Sequence, residues 1–203
     1  MYKVNHFLET ATDKLLPFIE AHPFAVLIGA NQNIPAATQV PLQVKKEADV
    51  IKLVGHIMRK TDHHEAFANN ENVLVLFHGS HAYISAAVYE NPESASTWNY
   101  SSVQAKGTIK LLGDEETRKI IQDLTNQYEP HASPAAFHRM SDDYINKHLN
   151  AITGFEITVT SLEGVFKLSQ NHSQVNKKAI VEQLSQRNDV QAQEVAKQMK
   201  ENC

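Results

Sequence analysis

Three short clusters of hydrogen-bond donors, each beside an apolar run, are the residues of this 203-residue chain whose types and spacing suit chemistry. The first is Gly55-His56-Ile57-Met58-Arg59-Lys60. The second surrounds the only Trp, in Thr97-Trp98-Asn99-Tyr100, between two strand-like runs. The third is Lys167-Leu168-Ser169-Gln170-Asn171. Donors gathered at strand ends with few carboxylates among them are what a bound anion or a phosphorylated cofactor requires. Arg59 can meet a phosphate bidentately, Lys60 adds a compact charge, and His56 is a further donor on the same strand end, with Met58 turned to the opposite face. The bland alternative is that Arg59 and Lys60 cap a solvent-facing turn. Ser169, Gln170 and Asn171 bring hydrogen-bonding capacity that a ligand would satisfy.

Short β-type runs must position these clusters. Between Pro23 and Gly113 they cover residues 24–28, 40–44, 50–54, 73–77, 82–85 and 103–112, separated by turn residues, which points to an antiparallel barrel or sandwich. The continuously apolar run 73–77 predicts a central strand buried on both faces, whereas 43–45 and 104–106 read as half-exposed strands. Residues 61–70 form a short helix capped by Thr61 or Asp62, and 114–128 an amphipathic helix with three acidic residues in its first turn. A short helix over 142–149 leads to a strand at 154–160, and Gly164 turns the chain into 165–168. Beyond Gln174 the chain is polar, with Ile180, Val181, Leu184, Val190, Val195 and Met199 as sparse apolar positions on one or two helices. The sequence is read as a single domain, 1–203, with 174–203 as its helical C-terminal extension.

Composition narrows the function. Apolar residues make up 42% of the chain, enough for a substantial core. Lysine and arginine total 19 against 23 acidic residues, a net charge of −4, which disfavours the broad positive field of nonspecific nucleic-acid binding. Lys177 and Lys178 form a local basic doublet, and no short turn with a second well-formed apolar helix marks a DNA-recognition helix; direct nucleic-acid binding is therefore doubtful. No run reaches the roughly 20 apolar residues of a membrane-spanning helix, and the opening MYKVNHFLETATDK lacks the apolar stretch of a signal peptide. A cytoplasmic protein is expected. The one cysteine, Cys203, excludes an intrachain disulfide and a thiolate metal site. His63-His64 with His78 and His81 do not suggest a metal shell, because adjacent histidines on a helix diverge by about 100 degrees and His78 and His81 flank a turn. Gly79-Ser80-His81 lacks the pattern of a hydrolase nucleophile elbow.

Taken in order, Met1-Tyr2, Pro23-Phe24-Ala25, Ala37-Thr38-Gln39-Val40-Pro41-Leu42, Gly55-His56 with Arg59, Ala82-Tyr83-Ile84-Ser85, Thr97-Trp98-Asn99-Tyr100, Gly154-Phe155-Glu156-Ile157 and residues 167–171 give the chain a resemblance to the PaiB-like family. Its members are FMN-binding negative transcriptional regulators with the split β-barrel of pyridoxamine-phosphate-oxidase-like flavoproteins. The resemblance implies an α+β fold: a mainly antiparallel split β-barrel with peripheral helices and a helical C-terminus. It implies FMN as cofactor, a homodimer, and a regulatory role in transcriptional repression, direct or indirect. The alternatives are a flavin-dependent oxidoreductase, either a flavin reductase or a small-molecule oxidase, and a haem-binding split barrel.

By the same resemblance, Thr38, Pro41 and Leu42 run along the flavin, and Gln104 stands near the ribityl chain or phosphate. Trp98 and Asn99 contact flavin or line the dimer interface, and Ser169, Gln170 and Asn171 serve the partner's cofactor. This chain departs from the family's usual His at Gln39, Asn-Pro at Thr61-Asp62, Pro and Trp at Ala86 and Val88, and Arg at His172. The last change removes a fixed positive charge from the third cluster.

Overall fold

The computed structural model describes residues 4–91 and 93–201; Met1-Tyr2 and Cys203 lie outside the described residues. Eight strands form one sheet: β1 Leu8–Glu9, β2 Phe24–Asn31, β3 Ile34–Pro41, β4 Gln43–Glu47, β5 Val50–Met58, β6 Asn72–Ile84, β7 Thr97–Leu111 and β8 Ile152–Lys167. Their order is β3-β2-β6-β7-β8-β5-β4, with β1 added to β8. The helices are α1 Thr12–Ala21, α2 Asp62–Asn69, α3 Asp114–Tyr128, α4 Asp142–Leu149, α5 Gln174–Ser185 and α6 Val190–Glu201.

Tight turns set the registers. Asn31 faces Ile34 across Gln32-Asn33, and Glu47 faces Val50 across Ala48-Asp49; Gln32 and Ala48 take left-handed φ values of 53° and 52°, as two-residue hairpin turns demand. Pro35 and Pro41 sit on β3, the edge strand, where no ladder bond is lost to them. Side chains cap several helix starts: Thr61 accepts from the His64 amide, Ser141 from Tyr144, Ser173 from Asn176 and Asp189 from Gln191.

The residues cluster into two compact units. Unit 1 takes the chain up to Phe18, His78–Val103 and everything from Glu163; unit 2 takes Ile19–Phe77 and Gln104–Leu162, so that β6, β7 and β8 each contribute to both. The core of unit 2 is built on Leu27, Leu53, Val75, Phe77, Phe155 and Ile157. In unit 1, Ala82, Ile84, Tyr89 and Leu168 pack with Ile180, Leu184, Ala192, Val195 and Met199 of α5 and α6. Each such fully buried aliphatic or aromatic side chain contributes about 1.5–3 kcal/mol. Val190, counted among the apolar stripe in the sequence, is 80% exposed.

Several sequence expectations are corrected. Gly79-Ser80-His81 is not a turn: β6 runs unbroken from Asn72 to Ile84, so His78 and His81 share one strand. Along it the buried positions change from Val73, Val75 and Phe77 to Ser80, Ala82 and Ile84, and that change of phase read as a break in sequence. Leu74 and Leu76 are half-buried, so the run 73–77 is covered fully on one face only. Thr97-Trp98-Asn99-Tyr100 does not lie between two strand-like runs but begins β7, and Gly164 lies inside β8, opposite Glu9. The run 40–44 divides at Leu42, whose amide donates to the Pro23 carbonyl at 2.9 Å.

Candidate functional site

Unit 2 holds the first donor cluster. Gly55 is buried on β5, where a Cβ would lie 2.9 Å from Phe155 Cζ and 3.0 Å from both Leu42 Cδ2 and the Pro41 carbonyl. Only glycine lets the Pro41-Leu42 backbone approach this closely. The next residue, His56, stands opposite Gly154 of β8. Among the described residues its Nδ1 is buried without a hydrogen-bond partner, and burial pushes the imidazole below its ordinary range, which favours the neutral ring. Past the strand end, Arg59 is held on three sides: its amide donates to the Ala151 carbonyl at 2.8 Å, Nε to the Ile152 carbonyl at 2.6 Å, and Nη2 to Asp114 Oδ1 at 2.9 Å. Among the described residues Nη1 has no partner. Lys60 is exposed with φ 62°. Thr38 and Gln104 are half-buried on β3 and β7, and no hydrogen bond joins either to His56 or Arg59 among the described residues.

The first cluster therefore contains a carboxylate that its own sequence did not announce. Asp114 belongs to the acidic first turn of α3, 55 residues on from Arg59. Its reach back to Arg59 had no local signal.

Unit 1 holds the other two clusters and ties them together. Asn99 is fully buried; its Nδ2 donates to Ser169 Oγ at 2.9 Å, and Ser169 Oγ donates back to Asn99 Oδ1 at 3.1 Å. Ser169 has φ 62°, a left-handed turn residue. Gln170 closes that turn, accepting from the Leu168 amide at 2.8 Å and donating to the Phe166 carbonyl at 2.5 Å. The capacity expected to be unmet at Ser169 and Gln170 is thus met within the chain, because the turn after β8 carries Ser169 to Asn99 of β7 and folds Gln170 back on its own strand. Asn171 alone of the trio is exposed. Trp98 is 52% exposed, with the rings of His81 and Tyr83 at 5.9 and 5.8 Å. Lys167 donates to the Thr97 hydroxyl and to the Trp98 carbonyl, and the His172 ring stacks on Tyr89 with centroids 4.7 Å apart.

Residues 1–161 match the family described as "Putative FMN-binding domain". The chain belongs to that family. A Bacillus subtilis relative named Protease synthase and sporulation protein PAI 2 is 30% identical over 202 residues, spanning 99% of this chain and 97% of the relative. Among solved structures, the flavocytochrome Anf3 from Azotobacter vinelandii superposes with a TM-score of 0.63 at 12% identity, covering 82% of this chain and 72% of that one. The FAD and heme binding protein from Mycobacterium smegmatis does so with 0.61 at 15% identity, covering 85% and 78%. At such identities the likeness shows the fold alone: an α+β split β-barrel with a mainly antiparallel sheet. Among the described residues no helix is long and apolar enough to cross a membrane.

Proposed function

We propose that this member of the FMN-binding family binds FMN on unit 2, with the flavin edge along Thr38, Pro41 and Leu42, the ribityl chain at Gln104 and His56, and the phosphate at Arg59 and Lys60. Bound there, FMN supplies a redox-active, light-absorbing ring. The observation that carries the reading is Arg59, whose guanidinium is oriented by Ile152 and Asp114 while Nη1 stays without a partner. A phosphate would complete a bidentate contact at that edge. The unpartnered Nδ1 of His56 and the glycine-dependent closeness of Gly55 to Pro41 support it further. A ligand would supply the partner that the His56 Nδ1 lacks among the described residues.

The protein acts in this reading as a cytoplasmic regulator of gene expression, through partners rather than by gripping DNA itself. The PAI 2 relative, whose name concerns protease synthesis and sporulation, supports that role, as do the net charge of −4 and the single cysteine. A homodimer forms over the apolar face of unit 2. There Phe24 is 67% exposed, and Val26 and Ile28 lie half-buried opposite Leu76 and Leu74. The exposed Trp98 and Asn171 are what unit 1 can offer to a partner copy's cofactor.

Flavin fluorescence titrations test the site. FMN should bind saturably, and Arg59→Ala should weaken FMN by about ten- to a hundredfold, the worth of a charge-assisted hydrogen bond, while leaving riboflavin unchanged. Equal loss for both ligands, or no saturable FMN binding at all, would overturn it.

A further inference from the structure

Lys167 carries a charge that no described residue of this protein compensates. Its ammonium is half-buried at the end of β8 and donates to two neutral oxygens, the Thr97 hydroxyl and the Trp98 carbonyl, the latter at 2.9 Å. Lys14, Lys45, Lys52 and Arg59 each meet a carboxylate within 3.1 Å; Lys167 forms no ion pair among the described residues. Five residues on, His172 lies against Tyr89, the two rings 29° from parallel, and the Lys167 charge reaches its imidazole. Tyr89 is fixed in the core of unit 1 with Leu168 and Ile84, and among the described residues its buried hydroxyl has no partner.

We propose that Lys167 and His172 form a binding site on unit 1 for a dianionic oxyanion, a phosphate or phosphate monoester. An ammonium has three N–H donors, and Thr97 and Trp98 use two. A cation drawn partly out of water is unfavourable until an anion or acceptor of matching charge meets it, and an imidazole beside it becomes a second charged donor once protonated. Tyr89 holds the plane of that imidazole. The site goes beyond the flavin reading, which uses residues of unit 2 and, from unit 1, Trp98 and Asn171 but neither Lys167 nor His172.

Burial pushes Lys167 below the usual lysine range, and burial followed by the Lys167 charge lowers His172. A bound dianion opposes both causes, so binding should draw a proton onto His172. The other charged groups near this turn act less directly. Glu90 has its carboxylate turned to the Ser173 hydroxyl at 2.9 Å, and Lys177 and Lys178 lie on the following helix, α5, where they add positive potential.

Side-chain NMR of the full chain tests the site, with potassium phosphate replacing potassium chloride at constant ionic strength and about neutral pH. The His172 ring signals should shift saturably with phosphate and not with chloride, and the His172 pKa measured in phosphate should lie above that in chloride. Lys167→Gln should weaken phosphate about tenfold or more, and Lys167→Arg should hold it within about threefold. Glycerol 2-phosphate tells whether a monoester enters as well as the free ion; binding of either supports the site. A response that only tracks ionic strength overturns it, as does equal affinity in a folded Lys167→Gln. Should that variant fail to fold, the wild-type comparison of phosphate with chloride decides alone. Because the readout is His172 with inorganic phosphate, a failure of FMN binding at unit 2 would leave this result untouched.

Discussion

Two cations on this protein are held in opposite ways. In unit 2, Arg59 is turned by the Ile152 carbonyl and partly neutralised by Asp114 at 2.9 Å, with a guanidinium edge to spare. In unit 1, Lys167 is turned by a hydroxyl and a carbonyl and neutralised by nothing among the described residues. A compensated cation can wait for a ligand with little loss of stability, and its ligand must compete with the resident carboxylate. An uncompensated one keeps its charge open to an anion, and its ligand meets no resident carboxylate among the described residues. Position and charge are thus separable: the same neutral-oxygen scaffolding orients both side chains, and the carboxylate alone distinguishes them.

The largest expected effect tests whether the unit 2 cluster depends on backbone closeness. Gly55→Val would drive a branched side chain into Phe155, Leu42 and the Pro41 carbonyl, already 2.9–3.0 Å from a single Cβ. We expect a loss of about 3 kcal/mol in urea unfolding, the upper range of overpacking. FMN binding should be lost even where the protein still folds. Retained FMN affinity would remove Pro41 and Leu42 from the site.

In unit 1 the rigid feature is polar. Asn99→Ala should destabilise by about 2 kcal/mol, since it leaves the buried Ser169 hydroxyl without its partner. Adding Ser169→Ala should bring the double variant well below the sum of the two single losses, because both ends of the pair are then gone. Additive losses would mean that the two side chains stabilise the turn separately.

Acid should distinguish the regions next. His56 and His172 both have pKa values lowered by burial. An unfolded imidazole protonates near 6.5 while these stay neutral to lower pH. Over that window the unfolded state binds more protons, so stability falls as pH drops from about 7 through the ordinary imidazole range, and levels off below the folded values. Thermal midpoints between about pH 7.5 and 5.5 should show this, and His56→Gln should shallow the slope. Saturating phosphate should shallow the part due to His172 and leave that of His56. A slope unmoved by His56→Gln would mean that its imidazole is solvated in solution.

The sequence carried the framework further than the contacts. Hairpin punctuation, the acidic first turn of α3 and the order of motifs marked the antiparallel sheet, the helices and the family, because each is written in local periodicity and turn chemistry. The long strands β6 and β8 read as pairs of shorter ones, since Gly79 and Gly164 interrupt the apolar pattern without ending the strand. For Arg59 and Lys60 the donor types were legible and the partner Asp114 was not, and for Ser169 and Gln170 the capacity was legible and its internal use was not. Each missing fact is a contact between residues distant in sequence or a side chain folded onto its own turn, neither of which leaves a mark on spacing.

The smallest effect is the most discriminating. Asp114 is 68% exposed at its side chain, so Asp114→Asn should change stability by less than about 1 kcal/mol. Its influence on FMN has two opposing parts. The carboxylate helps to hold the guanidinium, but it also repels a phosphate and occupies Nη2. Arg59 keeps its Nε bond to Ile152 and its amide bond to Ala151 when Asp114 is neutral, so orientation should survive and repulsion should vanish. FMN should therefore bind about two- to fivefold more tightly to Asp114→Asn, the scale of one exposed ion pair. The gain should shrink as salt is added and be absent for riboflavin. Weaker FMN binding in this variant would show that the carboxylate positions Arg59 more than it competes for it, and would make Asp114 a positioning residue of the flavin site.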